Sequence, residues 1–321
     1  MTVQFVVAQQ YEPVNKNAST ETQELLNYLY SISGKKTLSG QHNYGHEITR
    51  STDSIIAFTG KTPAIWGSDF IHRDFEVDID LNNTVEQAIL QHKQGAIITL
   101  MYHQGRPYAD SIGHFRDKFT NEEWKQLVTP GTAIHQTWLH DIDKVAGYLT
   151  KLQKQKIPVL WRPYHEMNGG WFWWGQRLGD NGYKKLWKML YERYTNHHQL
   201  NNLIWVWNAN APIHGRKGPS MEYVDYFPGH EFVDVLAADI YRGDYRQSHH
   251  DQLVELANEK PIAMGEIGLV PEPQILDQQP RWTWFMIWAR FPWTKNNKDD
   301  VRNLYNHPRV LLNKDIVFDD N

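Results

Sequence analysis

Val159-Leu160-Trp161-Arg162-Pro163-Tyr164-His165-Glu166-Met167-Asn168-Gly169 is a short apolar run that ends in charge, and Trp171-Phe172-Trp173-Trp174 follow at once. The run is continuous rather than alternating, as expected of a strand buried on both faces of a parallel sheet. A carboxylate at the end of such a strand is costly unless it is neutralised or used. Working outward, seven similar runs appear: Thr37-Leu38-Ser39-Gly40, Ala64-Ile65-Trp66-Gly67, Ala96-Ile97-Ile98-Thr99-Leu100-Met101, Leu203-Ile204-Trp205-Val206-Trp207, Val233-Asp234-Val235-Leu236-Ala237-Ala238, Pro261-Ile262-Ala263-Met264-Gly265 and Phe285-Met286-Ile287-Trp288. Most are separated by helix-length segments. Ile134, Trp138, Ile142, Val145, Leu149 and Leu152 recur in steps of three and four and trace one helical face. Tyr183, Leu186, Leu190 and Tyr194 do the same.

Thr20-Glu21-Thr22-Gln23 reads as a capping box opening the first helix, with Gly34 near its end. Asn83-Thr84-Val85-Glu86 reads as a comparable start before Gly95. The link between the seventh and eighth runs is rich in Pro and Gln and offers only a short helical stretch. Eight strand and helix alternations imply an α/β chain folded as a (β/α)₈ barrel, a fold of typically about 250 residues plus insertions. The extra length falls in Gly105 to Thr132, an N-terminal arm (1–20) and a C-terminal tail (294–321). No Gly/Ser-rich linker or repeat divides the chain, so residues 1–321 are expected to form a single domain. A doubly wound sheet is the alternative, but no Gly-x-Gly-x-x-Gly follows an early strand.

The composition narrows the function. With 40% hydrophobic residues and a formal net charge of −4, the chain shows no basic excess, which argues against nucleic acid and anionic membranes as partners. No stretch approaches the roughly 20 apolar residues of a transmembrane helix. The absence of cysteine excludes disulfides, thiolate catalysis and zinc–cysteine sites. Many of the 14 Trp, 16 Tyr and 12 Phe belong to the core, but fourteen tryptophans exceed what a core of this size usually needs. The opening Met1-Thr2-Val3-Gln4-Phe5 lacks the charged and apolar regions of a signal peptide.

In a barrel of this kind, reactive groups gather at the C-terminal ends of the strands. Those ends carry Trp66, Ser68, Asp69 and His72; Tyr102, His103 and Gln104; Arg162, His165 and Glu166; Trp207, Asn208 and Asn210; Asp239, Tyr241, Arg242 and Asp244; then Glu266 and Trp288. Glu166 and Glu266, on the fourth and seventh strands, would face each other across the mouth. Glycoside hydrolysis uses such a pair, one carboxyl protonating the leaving oxygen and the other attacking or activating water. The surrounding indoles suit the flat, partly apolar face of a sugar.

Glu166, among aromatics, is expected to hold its proton, whereas Glu266 has to stay ionised, with Tyr241 and Arg162 as candidate donors. Arg162 and Glu166 share strand parity, so both face the lumen if the strand stays regular that far. Plainer readings compete. Arg162 and Glu166 stand also as a structural ion pair, Glu266 as a turn residue, and His103 and His165 as satisfied core histidines. Trp161, Trp187 and Trp205 read as core. The pairs His197-His198 and His249-His250 read as solvated helix residues. His72, His103 and His165 are a conceivable metal set, but no His-Glu-x-x-His motif supports one, and no metal or cofactor is expected.

Arg162-Pro163-Tyr164-His165-Glu166-Met167-Asn168-Gly169-Gly170-Trp171-Phe172-Trp173-Trp174-Gly175 resembles the acid/base signature of glycoside hydrolase family 26. Gly265-Glu266-Ile267-Gly268 resembles that family's nucleophile segment, and Lys36-Thr37-Leu38-Ser39-Gly40-Gln41 its first strand. The resemblance implies a retaining, cofactor-free endo-β-1,4-mannanase acting on mannan, galactomannan or glucomannan, with Glu166 as acid/base and Glu266 as nucleophile. It implies that His165 and Trp171 neighbour the acid, and that His103, Tyr241 and Trp288 wall the subsite of the reacting sugar. Trp171 is then placed to stack on the leaving sugar. His103, Arg162 and Tyr241 become candidates for reading the axial 2-hydroxyl that sets mannose apart from glucose. Alternatives are a β-1,3-xylanase, a mixed-linkage β-glucanase or a non-catalytic carbohydrate-binding barrel. Tyr102-His103-Gln104-Gly105-Arg106-Pro107 and Trp288-Ala289-Arg290-Phe291-Pro292-Trp293 depart from the pattern of well-known bacterial mannanases, so the chemistry is implied more closely than the polysaccharide. A secreted monomer is expected, with the cytoplasm as the alternative location.

Overall fold

The computed structural model describes residues 11–71, 77–213 and 220–318. The eight runs are all strands: β1 (Thr37–His42), β2 (Ile65–Ile71), β3 (Ile97–His103), β4 (Val159–Pro163), β5 (Leu203–Asn210), β6 (Val235–Ile240), β7 (Ile262–Ile267) and β8 (Trp282–Ile287). Each pairs in parallel with the next, and β1 bonds to both β8 and β2, so the sheet closes into a barrel. Closure leaves no free strand edge, which is why the runs tolerate being apolar throughout. The (β/α)₈ architecture expected from the sequence is the one observed.

Helices α1 (Thr20–Ile32), α2 (Arg50–Thr59), α3 (Val77–Lys93), α4 (Asn121–Leu127) and α5 (Ala133–Lys154) precede β4. They are followed by α6 (Tyr183–Glu192), α7 (Tyr223–Tyr226), α8 (Gln247–Ala257) and α9 (Ile275–Gln278) between the later strands. Beyond β8 come α10 (Phe291–Thr294), α11 (Lys298–Tyr305) and β9 (Val310–Leu311), the last pairing with β1. The α5 face read from the sequence is the buried face, and α9 is a single turn. Among the described residues no helix is long and apolar enough to cross a membrane.

Two expected helix starts are corrected. The N-cap of α1 is Ser19, whose hydroxyl accepts from the Thr22 N–H, one residue before the capping box read at Thr20. Asn83 lies inside α3, which begins at Val77. A polar Asn-Thr pair mid-helix mimics a start because the same side chains cap helices elsewhere.

The core has two parts. The helices pack on the outside of the barrel, around Trp161, Trp187 and Trp205, which are fully buried as expected. Inside, Leu38, Ile65, Leu160, Ile204, Val206, Trp284 and Met286 fill the lumen, and Leu25, Leu26 and Leu29 of α1 belong to the same cluster. Helix α1 therefore plugs the N-terminal end of the barrel and leaves the other end for chemistry. Asp234, buried just ahead of β6, helps to anchor this plugged end: its carboxylate accepts from the backbone N–H groups of Val14 (2.7 Å) and Trp205 (2.8 Å). Asp234→Ala is expected to orphan both donors and cost about 2–4 kcal/mol. Calorimetry should show a lowered melting temperature with turnover little changed, since Asp234 lies at the end of the barrel remote from the glutamates.

Candidate active site

Strand β4 ends at Pro163, and the chain then leaves regular geometry. Tyr164 (φ 49°) and Glu166 (φ 53°) both take left-handed backbone. The parity argument from Arg162 therefore fails: Glu166 reaches the mouth through a kinked turn. Tyr164 points outward, donating to Gln104 Oε1 (2.5 Å) and accepting from Trp138 Nε1 (2.8 Å). Glu166 N–H donates to the Asn208 carbonyl (2.8 Å) and Gly169 N–H to the Glu166 carbonyl (2.9 Å). Asn168 fastens the turn to its neighbours by donating to the carbonyls of Asn210 (2.7 Å) and Met221 (2.8 Å). At Gly169 any Cβ would run into the Trp171 ring.

The Glu166 carboxyl is 7% exposed. Its Oε1 accepts from Asn210 Nδ2 (2.8 Å) and its Oε2 from Trp171 Nε1 (2.5 Å). Burial, reinforced by the nearby Glu266 charge, pushes its pKa up to about 7 despite those donors. Trp171 is half-buried, whereas Trp173 and Trp174 are fully buried. Of the three indoles that follow Glu166, Trp171 alone is left partly exposed. Trp173 and Trp174 hold the turn instead, through bonds to the carbonyls of Gln104 (2.8 Å) and His165 (2.7 Å).

Glu266, on β7, is 2% exposed. Tyr241, just past β6, donates to its Oε2 (2.5 Å), while Oε1 has no hydrogen-bond partner among the described residues. Burial raises the Glu266 pKa above the ordinary carboxylate value, and Arg162 and Tyr241 offset only part of that rise. The expectation that its donors would hold Glu266 low is corrected: desolvation outweighs them.

Arg162 is fully buried and donates to Asn208 Oδ1 (2.7 Å) and the Gly265 carbonyl (2.8 Å). It stands 3.8 Å from Glu266 Oε1, so it acts on that carboxylate as a charge rather than as a hydrogen-bond donor. Asn208 approaches so closely that a Cβ at Gly265 would collide with its side chain. This contact explains the small residue beside Glu266.

His165 is buried, with Nε2 3.8 Å from Glu266 Oε1 and its ring edge-on to His103 at 4.4 Å. Burial pulls the His165 pKa well below its usual value, so it is neutral. His103 is fixed by Asp69, which takes its Nδ1 at 2.5 Å and its backbone N–H at 3.3 Å. Burial opposes the Asp69 charge, but the His103 ring outweighs it and keeps Asp69 below the usual carboxylate range. Trp288, the first residue past β8, is half-buried.

The structure thus brings Glu166, Glu266, His103, Arg162, His165, Trp171, Tyr241 and Trp288 to one end of the barrel. His72 lies outside the described residues. Trp207 packs outward against Phe227 (5.4 Å), and Asp244 pairs with Arg246 (2.6 Å) away from the two glutamates. His249 and His250 are buried rather than solvated, sitting against Asp244 (3.4 Å) and Asp251 (2.7 Å). His198 is likewise held, by Asp143 at 2.6 Å.

Ligand atoms of His165, Asp239 and Glu266 lie within 4.8 Å of one another, the spacing of a metal set. Arg162 supplies the positive charge there, 4.0 Å from Asp239 and 3.8 Å from Glu266, and opposes a cation. Asn210, placed by the sequence only as a strand-end residue, is a donor to Glu166, and His42 is a further residue at the mouth. Asn210 follows an apolar run, the signal that marks the other site residues, whereas Gln41 separates His42 from its run.

Comparison with known proteins gives a consistent set of relatives. The model of glycosyl hydrolase family 26 matches residues 14–316. A mannan endo-1,4-beta-mannosidase from Thermothelomyces thermophilus is 36% identical over 289 residues, covering 86% of this chain and 56% of that protein. Another, from Bacillus subtilis, is 30% identical over 348 residues, covering 98% of this chain and 91% of that protein. The chain spans about half the length of the first curated relatives it matches (56%, 49% and 48%). Among solved structures, GH26A from Muricauda sp. MAR_2010_75 superposes with a TM-score of 0.91 at 44% identity, covering 95% of this chain and 100% of that one. A beta-mannanase from a symbiotic protist of the termite Reticulitermes speratus, complexed with gluco-manno-oligosaccharide, gives 0.82 at 28% identity, covering 96% and 98%.

Proposed function

Since the chain belongs to glycosyl hydrolase family 26, we propose that it is a retaining endo-β-1,4-mannanase in which Glu266 is the nucleophile and Glu166 the acid/base. The observation that carries this reading is the pair of buried carboxyls with different surroundings. One oxygen of Glu266 is held by Tyr241, and the other is unbonded and available to attack. Glu166 keeps its proton up to about pH 7, partly because Glu266 is charged.

In the first step Glu266 Oε1 bonds to the anomeric carbon as the glycosidic C–O bond breaks, and the Glu166 proton passes to the departing oxygen. Once Glu266 is esterified its charge is gone, so the acidity of Glu166 increases and it becomes the base. It then takes a proton from the water that attacks the same carbon, and Glu266 is released. Arg162 and Tyr241 stabilise Glu266 as it regains its charge. Trp171, bonded to Glu166, is set to stack on the leaving sugar, and Trp288 to lie under the sugar that forms the ester. His103, its Nδ1 engaged by Asp69, presents the other ring nitrogen as a candidate reader of the 2-hydroxyl.

The printed activities of the relatives support β-1,4-mannan and its galactose- or glucose-containing forms as substrates. The 321 residues read as one catalytic unit, taken to act as a monomer. Polymeric mannan does not cross membranes, which supports action outside the cell.

The test is a matched panel of β-mannan, galactomannan, glucomannan, β-1,3-xylan and mixed-linkage β-glucan, with reducing ends and product lengths measured. Early appearance of mid-length manno-oligosaccharides, with a β-configured first product by NMR, is the expected result. Preferential cleavage of the xylan or the glucan would overturn the mannan assignment. An unchanged panel would favour a non-catalytic carbohydrate-binding barrel.

A further inference from the structure

The support beneath Trp288 is not an ordinary hydrophobe. His42, the last residue of β1, lies face to face with the indole, the ring centroids 4.1 Å apart and the planes 15° apart. The imidazole is fully buried, and neither of its nitrogens has a hydrogen-bond partner among the described residues. Tyr44 stands edge-on to both rings, 6.2 Å from His42 and 6.0 Å from Trp288. The backbone N–H of Trp288 donates to the carbonyl of Ile267 (3.1 Å), the residue after Glu266, which fixes where the indole leaves the chain. The stack is therefore tied at one end to the nucleophile strand and at the other to β1.

A packed interior ordinarily excludes two unpaired polar atoms, because each loses its hydration without compensation. Their presence on a flat ring points to the ring's shape and electronic character as what matters. The charged and titratable groups acting on His42 are Asp69, Arg162 and His103. Burial, aided by Arg162 and His103, pushes its pKa down to about 3 against the pull of Asp69, so the ring is neutral at any working pH. A cation there would draw on the electron-rich face of Trp288. A neutral ring leaves that density for whatever lies on the opposite face.

We propose that His42 is a positioning residue for glycoside cleavage: it fixes the plane of Trp288, so that the indole's open face meets the reacting sugar at one angle. This rests on the mannanase reading and on Trp288 lying under that sugar. Placement of the sugar ring matters most as it flattens toward the oxocarbenium-like transition state. Loss of the stack therefore acts on kcat more than on KM.

The test is a double-mutant cycle on mannohexaose with wild type, His42→Leu, Trp288→Ala and the double variant, alongside His42→Phe. Leucine fills the space without a flat face, whereas phenylalanine keeps one. His42→Leu is expected to lower kcat about tenfold while KM moves less than about threefold. In the Trp288→Ala background the same change should alter kcat less than about twofold, and His42→Phe should stay within about threefold of wild type. Thermal melts identify a variant that has merely unfolded, and in that case His42→Asn replaces leucine in the cycle.

A loss of equal size in both backgrounds overturns the proposal, because His42 then acts elsewhere than through Trp288. So does a leucine variant as active as wild type. If wild type ignores mannohexaose but cleaves another oligosaccharide of the panel, the mannan reading alone fails and the cycle is read on that substrate. If wild type cleaves none, both fall.

Discussion

Glu266→Ala is expected to abolish turnover on every substrate, activated aryl glycosides included. The alanine cannot form the covalent intermediate, and Asp239 does not replace it, because that carboxylate is fully enclosed, with Oδ1 bonded to Asn208 (2.7 Å) and no surface open to a sugar. Removing the nucleophile of a covalent hydrolase costs on the order of 10⁵- to 10⁶-fold. A second effect follows from charge. Glu266 helps to hold the proton on Glu166, so its removal lowers the Glu166 pKa even though burial persists. The check is turnover on aryl mannosides and mannohexaose with and without azide. Azide giving the α-linked, inverted glycosyl azide from Glu266→Ala is the expected rescue. A β-azide from this variant would instead exchange the two roles.

Glu166→Ala should separate substrates by leaving group. On mannan, which needs the departing oxygen protonated, a loss of about 10²- to 10⁴-fold is expected. On a dinitrophenyl glycoside the first step should survive, the ester should accumulate, and azide should restore turnover with the β configuration. The pH profile changes as well. In the wild type the acid has to be protonated, so activity falls as pH rises through about 7, the value to which burial pushes Glu166. The nucleophile has to be ionised, and its pKa is raised too, so activity falls on the acid side above the ordinary carboxylate range. The two carboxyls titrate as a pair, and the bell is narrow. Stopped-flow and steady-state profiles of Glu166→Ala should lack the alkaline limb. A limb that persists unaltered would assign it to another group, with Tyr241 excluded because its pKa lies well above 10.

The barrel is legible in the sequence because each strand is covered on both faces and reads as an unbroken apolar run. The strand-end glutamates are legible for the same reason, since charge directly after such a run is conspicuous. The turn after Pro163 is not: nothing in Tyr164 or Glu166 as residue types announces left-handed backbone, and the turn is held by bonds to strand β5, from the Glu166 N–H to the Asn208 carbonyl and from Asn168 to the Asn210 carbonyl. His42 escaped notice because Gly40-Gln41-His42 extends β1 in polar residues beyond the apolar run. His249 and His250 were misread because they occupy the inner face of α8 with Leu253 and Ala257, where a histidine resembles a surface residue until its packing is seen. The raised pKa of Glu266 is likewise a property of enclosure, which the neighbouring donors do not reveal.

The turn that carries Glu166 also has an evolutionary side. Left-handed backbone at a residue with a side chain costs about 1–3 kcal/mol, and this turn contains two such residues beside a carboxyl that burial disfavours in its charged form. Glycine or asparagine in place of Glu166 would relax the chain, whereas Tyr164 offsets its own strain by burial and by its bonds to Gln104 and Trp138. Selection for heat tolerance alone would therefore replace Glu166 early, and only selection for turnover preserves it. Lineages of this barrel that move to hotter habitats have to gain their resilience elsewhere, in the helical ring, the terminal segments and the plug beneath the lumen, leaving the glutamate turn as an inheritance that is neither improved nor lost.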